Sequence, residues 1–330
     1  MHSPPLKFAG GKGYLAGWLQ SLAPPHQYRV HPYAGGLGEF WTWPYAGVGE
    51  VVNDLDGRLI NLYRVLQDPV LFEQFQRRAL FTPFSEVVWE RAREFWETPR
   101  HDLQPPDVEA AYQYFCLVRQ SYAGHGTSFA PLTRNRLRRG MNEQASAWLS
   151  AVEGLPQVHA RLSRVVILCR PALEVIRSQD GPATFFYLDP PYVHSTRACP
   201  DLYLHEMTEE DHRELLTLLQ GVKGKVMISG QDNPLYGTLL AGWERQDRIT
   251  PIHSATGARK RRVIESVWMN YRTGGADHGL DPEARSGGLS DPEGRAWAGA
   301  NAWGSESVTE GGPASDPGTG VGPGNHSPGG

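Results

Sequence analysis

The sequence predicts an α/β fold with a doubly wound, largely parallel sheet that ends in an antiparallel pair of strands. Over most of residues 1–272, short apolar runs typical of buried strands alternate with segments of helical period. Such alternation implies crossover connections and therefore parallel strands. Near residue 272, two strand-like runs enclose a basic turn, which indicates an antiparallel pair. The predicted strands are YRVHPY (28–33), GEVVND (49–54), RVVILC (164–169), TFFYLD (184–189), KVMISG (225–230), ERQDRIT (244–250) and RVIESVWMNY (262–271).

Five segments have the apolar spacing of a helix that buries one face. Three of them begin with residues that favour a helix start. These are the pair Thr82-Pro83, Asp107, and Thr208 with an acid three residues later, which is a variant of the capping box. The predicted helices are YLAGWLQSL (14–22), DGRLINLYRVLQ (56–67), SEVVWERAREFW (85–96), VEAAYQYFCLVRQ (108–120) and TEEDHRELLTLLQ (208–220).

Composition divides the chain into three parts. Residues 273–330 hold sixteen glycines, six prolines and eight acids, so we expect a disordered tail that cannot bury enough apolar surface to offset chain entropy. The net charge of −4 comes from this tail, because residues 1–272 contain 30 basic and 28 acidic side chains. Residues 68–163 interrupt the strand–helix alternation and predict a helical, loop-rich insertion. Residues 1–67 and 164–272 then form one sheet domain.

Several classes of protein are excluded by the composition. No apolar run approaches the roughly 20 residues of a membrane helix, and the opening MHSPPLKFAGGK does not resemble a signal peptide. Cys116, Cys169 and Cys199 form no C-x-x-C pair, which argues against a structural zinc site and favours a reduced, cytoplasmic chain. We therefore expect no membrane partner and no metal.

Three loops place candidate ligand-binding residues after predicted strands, where open α/β sheets bind ligands. In HPYAGGLGEFW (31–41), glycines let the backbone approach a ligand, although a tight strand-to-helix turn is an alternative. Asp54 ends the next strand and could accept both hydroxyls of a ribose; a solvent-exposed loop acid is the alternative. Lys12 lies in KFAGGKGYL (7–15), which is not a phosphate-binding loop, so a surface lysine is the simpler interpretation.

The stretch TFFYLDPPYVHS (184–195) carries the most specific chemistry. Asp189 and the carbonyl of Pro190 are adjacent acceptors on a stiff backbone, suited to the two hydrogens of an exocyclic amino group. Tyr192 offers a ring face for stacking a planar base. The two acceptors can favour a pyramidal nitrogen and free its lone pair for attack. An ordinary proline turn after a strand is the alternative.

Together these motifs resemble the Dam-like DNA adenine N6-methyltransferases over roughly residues 5 to 271. The sequence departs from the family pattern at His31, where the family has an acid, and at Leu37, where it has a glycine. The segment CRPALEVI (169–176) also lacks the acidic residue that the resemblance leads us to expect for binding the adenine of the methyl donor. The resembling stretches are LKFAGGK (6–12), HPYAGGL (31–37), NDL (53–55), YFCLVRQSYAGHGTSF (114–129), DPPY (189–192) and TGARKRRVIESVWMNY (256–271).

The resemblance implies a Rossmann-like methyltransferase sheet, mostly parallel with a C-terminal antiparallel strand, and 68–163 as an inserted target-recognition subdomain. It implies transfer of a methyl group from S-adenosylmethionine to adenine N6 in duplex DNA by base flipping. The implied catalytic residues are Asp189, Pro190 and Tyr192. The implied cofactor-binding residues are Phe8, Lys12, Tyr33, Gly35, Gly36, Asp54 and Asp189.

Double-stranded DNA is the implied partner, and a monomer is expected. Two basic clusters, RNRLRR (134–139) and ARKRR (258–262), are expected to contact phosphates. For RNRLRR, the alternative is a solvent-exposed helix face. For ARKRR, the alternative is a basic segment that does not contact DNA. The implied DNA-binding residues are Arg119, Arg134, Arg136, Arg138, Arg139, Lys260 and Arg261.

Two alternative functions stay open from the sequence. One is an amino-methyltransferase that acts on cytosine N4, RNA or a protein amide. The other is a catalytically weak or inactive DNA-binding homologue, an alternative suggested by His31 and Leu37. The sequence does not distinguish a restriction-modification enzyme from a phage or housekeeping one.

Overall fold

The computed structural model describes residues 4–8, 10–98, 103–130, 136–193, 204–251 and 262–273. The predicted disordered tail lies outside these residues from residue 274 onwards. Within the described ranges, seven strands form one sheet in the order β5-β2-β1-β6-β7-β9-β8, and two short strands form a hairpin, β3-β4. The strands are β1 (Tyr28–His31), β2 (Gly49–Asn53), β3 (Leu137–Arg138), β4 (Met141–Asn142), β5 (Val165–Leu168), β6 (Thr184–Leu188), β7 (Lys225–Gly230), β8 (Glu244–Pro251) and β9 (Arg262–Met269).

The sheet confirms the predicted fold class. Strands β5, β2, β1, β6 and β7 pair in parallel, whereas β9 runs antiparallel to both β7 and β8. All five residues of the central strand β6 are buried, because both of its faces are covered. Burial on both faces explains why its sequence is a continuous apolar run rather than an alternating one.

Two of the three helix starts for which the sequence indicated a start residue agree with the structure. Asp107 accepts a hydrogen bond from the amide of Ala110 at 3.0 Å, and Thr208 forms a capping box with Asp211. None of the helices in the described ranges has the length and apolar character needed to cross a membrane. The helices are α1 (Ala16–Leu22), α2 (Gly57–Gln67), α3 (Pro69–Leu80), α4 (Glu86–Glu97), α5 (Val108–Gln120), α6 (Glu143–Glu153), α7 (Leu155–Leu162), α8 (Ala172–Gln179), α9 (Glu209–Leu219) and α10 (Pro234–Leu239).

The predicted start of α4 at Thr82-Pro83 is wrong. The helix begins at Glu86, and Ser85 is its N-cap residue. The side chain of Gln120, in α5, holds the preceding turn. It accepts a hydrogen bond from the amide of Ser85 at 2.9 Å and donates one to the carbonyl of Pro83 at 3.0 Å. A contact between two helices therefore overrides the local start signal.

Helices cover both faces of the sheet. In β6, Phe186 and Leu188 pack with α8, α9 and α10 on one face, whereas Phe185 and Tyr187 pack with α1 on the other. This alternation follows from the two-residue period of a strand. A third cluster packs α2 and the following helices against β2 and β5.

The segment 68–163 is mostly helical, as predicted, and contains α3 to α7 and the hairpin β3-β4. Its helices share one hydrophobic cluster with α2, through Phe72, Phe115 and Trp148. The hairpin turn has Arg139 at φ 56° and Gly140 at φ 74°. The described part of RNRLRR, residues 136–139, therefore lies at β3 and its turn, and the interpretation of this part as a helix face is wrong.

A buried carboxylate between two arginines joins three elements of the fold. Glu50 of β2 accepts hydrogen bonds from Arg29 Nε at 3.1 Å and from Arg161 Nη2 at 2.7 Å. Arg29 belongs to β1 and Arg161 to α7, and all three side chains are buried. Although burial raises the pKa of Glu50, the hydrogen bonds from Arg161 and the charge of Arg29 bring it below its usual value.

Candidate active site

The carboxyl ends of β2, β1 and β6 surround a cavity of about 380 Å³. A glycine loop follows β1, Asp54 follows β2 and Asp189 follows β6, and all three line the cavity. They meet because neighbouring parallel strands end at the same edge of the sheet. The volume lies in the range typical of small-molecule sites. The cavity is lined by all seven residues predicted to bind a cofactor, namely Phe8, Lys12, Tyr33, Gly35, Gly36, Asp54 and Asp189.

The glycine loop, residues 35–38, is held in a left-handed turn. Gly35 has φ 46° and Leu37 has φ 52°. The hydroxyl of Tyr63 donates to the carbonyl of Gly35 at 2.6 Å. Leu37 adopts a conformation that favours glycine, at a cost of about 1–2 kcal/mol. Burial of its side chain, which is 2% exposed, offsets that cost, so packing accounts for this departure from the glycine motif.

Two other glycines allow the loop to touch the segment that contains Lys12. A Cβ atom added to Gly36 would lie 2.4 Å from the Cβ of Phe8. A Cβ atom added to Gly38 would lie 2.6 Å from the amide nitrogen of Gly13 and 2.8 Å from that of Lys12. All three distances are shorter than any normal contact, so the loop packs directly against Phe8, Lys12 and Gly13.

We expect Gly38→Ala to displace Lys12 and to lower the activity of this site by on the order of 100-fold, because a misplacement of about 1 Å can have that effect. The clash is with backbone atoms, which cannot rotate away. The matched control is Gly17→Ala in α1, where a Cβ atom would meet nothing within 4 Å. Turnover and thermal unfolding of the two variants should be compared. Full activity of Gly38→Ala would contradict the packing.

Asp54 connects the end of β2 to the glycine loop. Its Oδ2 accepts a hydrogen bond from the amide of Gly35 at 2.8 Å, and its Oδ1 accepts one from the amide of Asp56 at 2.9 Å. Burial raises the pKa of Asp54, and these two amides lower it. A solvent-exposed loop acid is therefore the wrong interpretation. Each carboxylate oxygen has a second lone pair, so Asp54 can still accept hydrogen bonds from a ligand.

Asp189, whose side chain is 23% exposed, belongs to a largely buried group of charged and polar residues that we call the acidic corner. Lys12 Nζ lies 3.1 Å from Asp189 Oδ1, 3.3 Å from Glu265 Oε1 and 4.7 Å from the ring centroid of Tyr192. Ser229 donates a hydrogen bond to Asp189 Oδ1 at 2.8 Å, and the Tyr192 hydroxyl donates one to Glu265. The acidic corner consists of these five residues.

The two acids of the acidic corner have raised pKa values. Burial raises the pKa of Asp189 and of Glu265 above the usual values, and the positive charge of Lys12 opposes this rise in both. Lys12 is itself only 4% exposed, so its interpretation as a surface lysine is wrong. Both Lys12 and Ser229 bind Oδ1 of Asp189, and within the described part of the chain its Oδ2 accepts no hydrogen bond. One oxygen is thus available to a ligand.

Three acidic or polar residues of the site were missing from the sequence-based prediction. Glu39 is buried, lines the cavity and places its Oε1 3.3 Å from His31 Nδ1. A carboxylate is therefore present beside the end of β1 although His31 replaces the acid of the motif. Ser229 and Glu265 are buried polar residues within apolar strands, and that contrast is the signal that could have identified them.

The predicted DNA-binding residues differ in exposure. Arg119 is 7% exposed; its Nη2 donates to the carbonyl of Ala147 at 2.8 Å, and burial lowers its pKa to about 10. Arg138 and Arg139 are exposed on the hairpin, and Arg139 forms an ion pair with Glu153 at 2.9 Å. Arg136 is also exposed. Arg134, Lys260 and Arg261 lie outside the described residues.

A second cavity, of about 510 Å³, contains basic side chains and adjoins the first. Lys7, Arg119 and Arg138 line it. The two cavities share a wall, because four residues line both: Phe8, Gly11, Gly36 and Gly38. An anionic ligand in this basic cavity would therefore lie next to the glycine loop.

Comparison with known proteins relates the sequence of this chain to DNA methyltransferases. A family model described as D12 class N6 adenine-specific DNA methyltransferase matches residues 8–253. The Type II methyltransferase M1.LlaDCHI of Lactococcus lactis subsp. cremoris is 22% identical over 284 residues, which cover 81% of this chain and 95% of that protein. The solved structure of the rRNA methyltransferase aviRa from Streptomyces viridochromogenes aligns with 81% of this chain and 88% of that chain, at a TM-score of 0.34 and 11% identity.

Proposed function

This chain belongs to the D12 class of N6 adenine-specific DNA methyltransferases, and on that premise we propose that it transfers a methyl group from S-adenosylmethionine to an adenine flipped out of duplex DNA. The observation that carries the proposal is the meeting of three strand ends at one cavity. There the glycine loop and Asp54 face the same space as Asp189. One side of the cavity then suits a nucleoside, and another suits the reacting amine.

The residues present fit S-adenosylmethionine. Asp54 would accept hydrogen bonds from the ribose hydroxyls, and the glycine loop, together with Phe8 and Tyr33, would enclose the rest of the nucleoside. Glu39 supplies a carboxylate to the same cavity, suited to a cationic amino group. When bound, the donor would supply a methyl group on a positively charged sulfur: the adenine nitrogen would attack the methyl carbon, the carbon–sulfur bond would break to leave a neutral thioether, and the methylated amine would then lose one proton to water.

The chain's own residues would orient and polarise the target amine. Asp189 Oδ2 and the carbonyl of Pro190 would each accept a hydrogen bond from one N–H of the amine, while Tyr192 would stack on the base. Positive charge develops on the nitrogen as its lone pair forms the new bond. Fixed acceptors that already point at this nitrogen stabilise that charge without reorganising. Lys12 Nζ, 3.1 Å from Asp189 Oδ1, would oppose the rise in the pKa of Asp189 that burial causes.

DNA binding is proposed for the hairpin β3-β4 and the basic cavity beside it, in the segment 68–163 that we propose as the target-recognition region. Arg138 is exposed and lines that cavity with Lys7. Extruding a base costs a few kcal/mol, and contacts from basic side chains to phosphates would supply binding energy. The enzyme would act as a monomer on double-stranded DNA in the cytoplasm.

We expect Arg138→Glu to weaken binding to all DNA sequences alike and to reduce the slope of log affinity against log salt by about 1. The matched control is Arg139→Gln on the same hairpin, because Arg139 is already paired with Glu153 and should lose less. Fluorescence anisotropy at several salt concentrations measures both. A loss restricted to one DNA sequence would indicate base readout instead.

The proposal is tested by expressing the chain in a methylation-deficient host and sequencing the DNA with detection of modified bases. N6-methyladenine at one short sequence is the expected result, and calorimetry should show binding of S-adenosylmethionine. Methylated cytosine or RNA would support the alternative amino-methyltransferases. Donor binding without methylation of any substrate would support the inactive homologue. The similarity to a Type II methyltransferase leads us to propose a role in restriction-modification.

A further inference from the structure

Glu265 belongs to the acidic corner but does not line the cavity of about 380 Å³ that we propose holds the methyl donor, here called the donor cavity. It belongs to β9, and its side chain is 4% exposed. Along β9, Val267 and Met269 point to the same face and are buried in the core, whereas Ile264 is exposed. The alternation of the strand therefore places a carboxylate at a position where an apolar residue would be expected.

A buried carboxylate requires partners, because an unpaired charge in the core is strongly unfavourable. Among the residues that the structure describes, Glu265 has two partners, and both belong to the acidic corner. The hydroxyl of Tyr192 donates to it, and Lys12 Nζ lies 3.3 Å from its Oε1. Glu265 therefore connects the hydroxyl of Tyr192, whose ring we propose stacks on the base, with the ammonium of Lys12, which also lies beside Asp189.

We propose that Glu265 is a positioning residue for methyl transfer, which fixes the ring of Tyr192 and the ammonium of Lys12 relative to Asp189. The inference rests on the proposed roles of Asp189 and Tyr192. Fixed at its hydroxyl, Tyr192 presents one ring orientation to an incoming base. Because Lys12 is paired with two carboxylates, its single positive charge does not fully neutralise the negative charge of Asp189.

The second carboxylate also sets the sign of the charge that the target amine meets. One ammonium lies within 3.3 Å of two carboxyl groups, so the corner carries one net negative charge when both acids are ionised. Loss of the charge of Glu265 would leave the corner neutral. A neutral corner would stabilise the positive charge that develops on the amine less well.

We expect Glu265→Gln to lower kcat by about 10- to 100-fold, the range for losing a hydrogen bond to a charged group. The KM for S-adenosylmethionine should not change, because Glu265 does not line the donor cavity. The KM for DNA should change little, because phosphate contacts dominate that affinity. Rates should be divided by the fraction of protein that binds the donor in calorimetry, so that misfolded protein does not count.

The position of the Tyr192 ring can be observed with DNA that carries 2-aminopurine at the target position. Stacking on Tyr192 quenches an extruded 2-aminopurine, so Glu265→Gln and Tyr192→Phe should both make it brighter. The double variant should be no brighter than the brighter single variant, because both changes break one linkage. Glu244→Gln in β8, where the carboxylate binds Thr273 and Gln246, is the control and should behave like the wild type.

Three outcomes would overturn the inference. The first is a normalised kcat of Glu265→Gln within about twofold of the wild type, a loss smaller than that expected of a hydrogen bond to a charge. The second is unchanged 2-aminopurine fluorescence, and the third is additive effects in the double variant. If Asp189→Ala is inactive at the same time, the proposed function stands and only the role of Glu265 is wrong. If Asp189→Ala is active, the proposed function itself is wrong.

Discussion

Asp189→Ala is expected to lower kcat by about 100- to 1,000-fold, the range for removing one preorganised group that stabilises charge in a transition state. The side chain offers Oδ2 to the cavity while Lys12 and Ser229 hold Oδ1. Its loss would remove the acceptor for the target amine without removing the donor site. Methyl transfer from labelled S-adenosylmethionine to DNA, at saturating donor, measures the effect.

The variant should fold, because Lys12 keeps Glu265 as a partner when Asp189 is removed. Asp247→Asn is a suitable control: this acid lies in β8, where it pairs with Arg245 far along the sheet from the cavity. Donor binding by calorimetry should be nearly unchanged in both variants. A normal rate in Asp189→Ala, with an equal fraction of donor-binding protein, would exclude Asp189 from the reaction.

Glu50→Ala is expected to lower the free energy of unfolding by about 3–5 kcal/mol, the typical effect of breaking a buried ion pair. The substitution would leave Arg29 and Arg161 buried without the carboxylate that joins them. The arginines come from β1 and α7, so the loss affects both the sheet and a helix that covers it. Denaturation in urea, monitored by circular dichroism, measures the change.

Glu97→Ala provides the comparison for Glu50. Its carboxylate lies 3.9 Å from Arg93 on the exposed face of α4, and a surface pair of this kind contributes less than about 1 kcal/mol. A small effect at Glu50, similar to that at Glu97, would show that the buried arginines find other partners.

The pH dependence of stability should also report on Glu50. Its pKa in the folded protein is below its usual value, so folding is linked to ionisation of this carboxylate. The stabilisation is fully present above the usual glutamate pKa and is lost as the pH falls through the lowered value. Glu50→Gln should therefore flatten the acid side of the curve of unfolding free energy against pH.

Much of the sheet could be predicted because buried strands have a local signature. KVMISG coincides with β7 (Lys225–Gly230), and TFFYLD contains β6 (Thr184–Leu188) with Asp189 directly after it. Helix α5 (Val108–Gln120) also begins directly after its predicted cap, Asp107. Short helices such as α8 and α10 were not predicted, because a few residues of helical period carry little signal without their tertiary partners.

Local patterns indicate site residues where these follow a strand in the sequence. Asp54 and Asp189 could be found in this way, because strand ends are local features, whereas Phe8 and Lys12 were implied only by the family resemblance. Glu265 and Ser229 are visible in the sequence only as polar residues within apolar strands, because their roles depend on β9 lying beside β7 and on β7 lying beside β6. The burial of Arg119 could not be predicted from the sequence either. Helix α5 has an amphipathic sequence, but in the fold it is surrounded by other helices.

By itself, the sequence determined the succession of strands and helices and the acids that follow β2 and β6, because backbone preferences and apolar periodicity act over a few neighbouring residues. Only the tertiary structure decided that Lys12 is buried between Asp189 and Glu265, and that Glu50 lies between two arginines. These pairs join residues far apart in the chain. Their contacts depend on strand order and on which side chains lose water when the layers pack, and no local pattern encodes either.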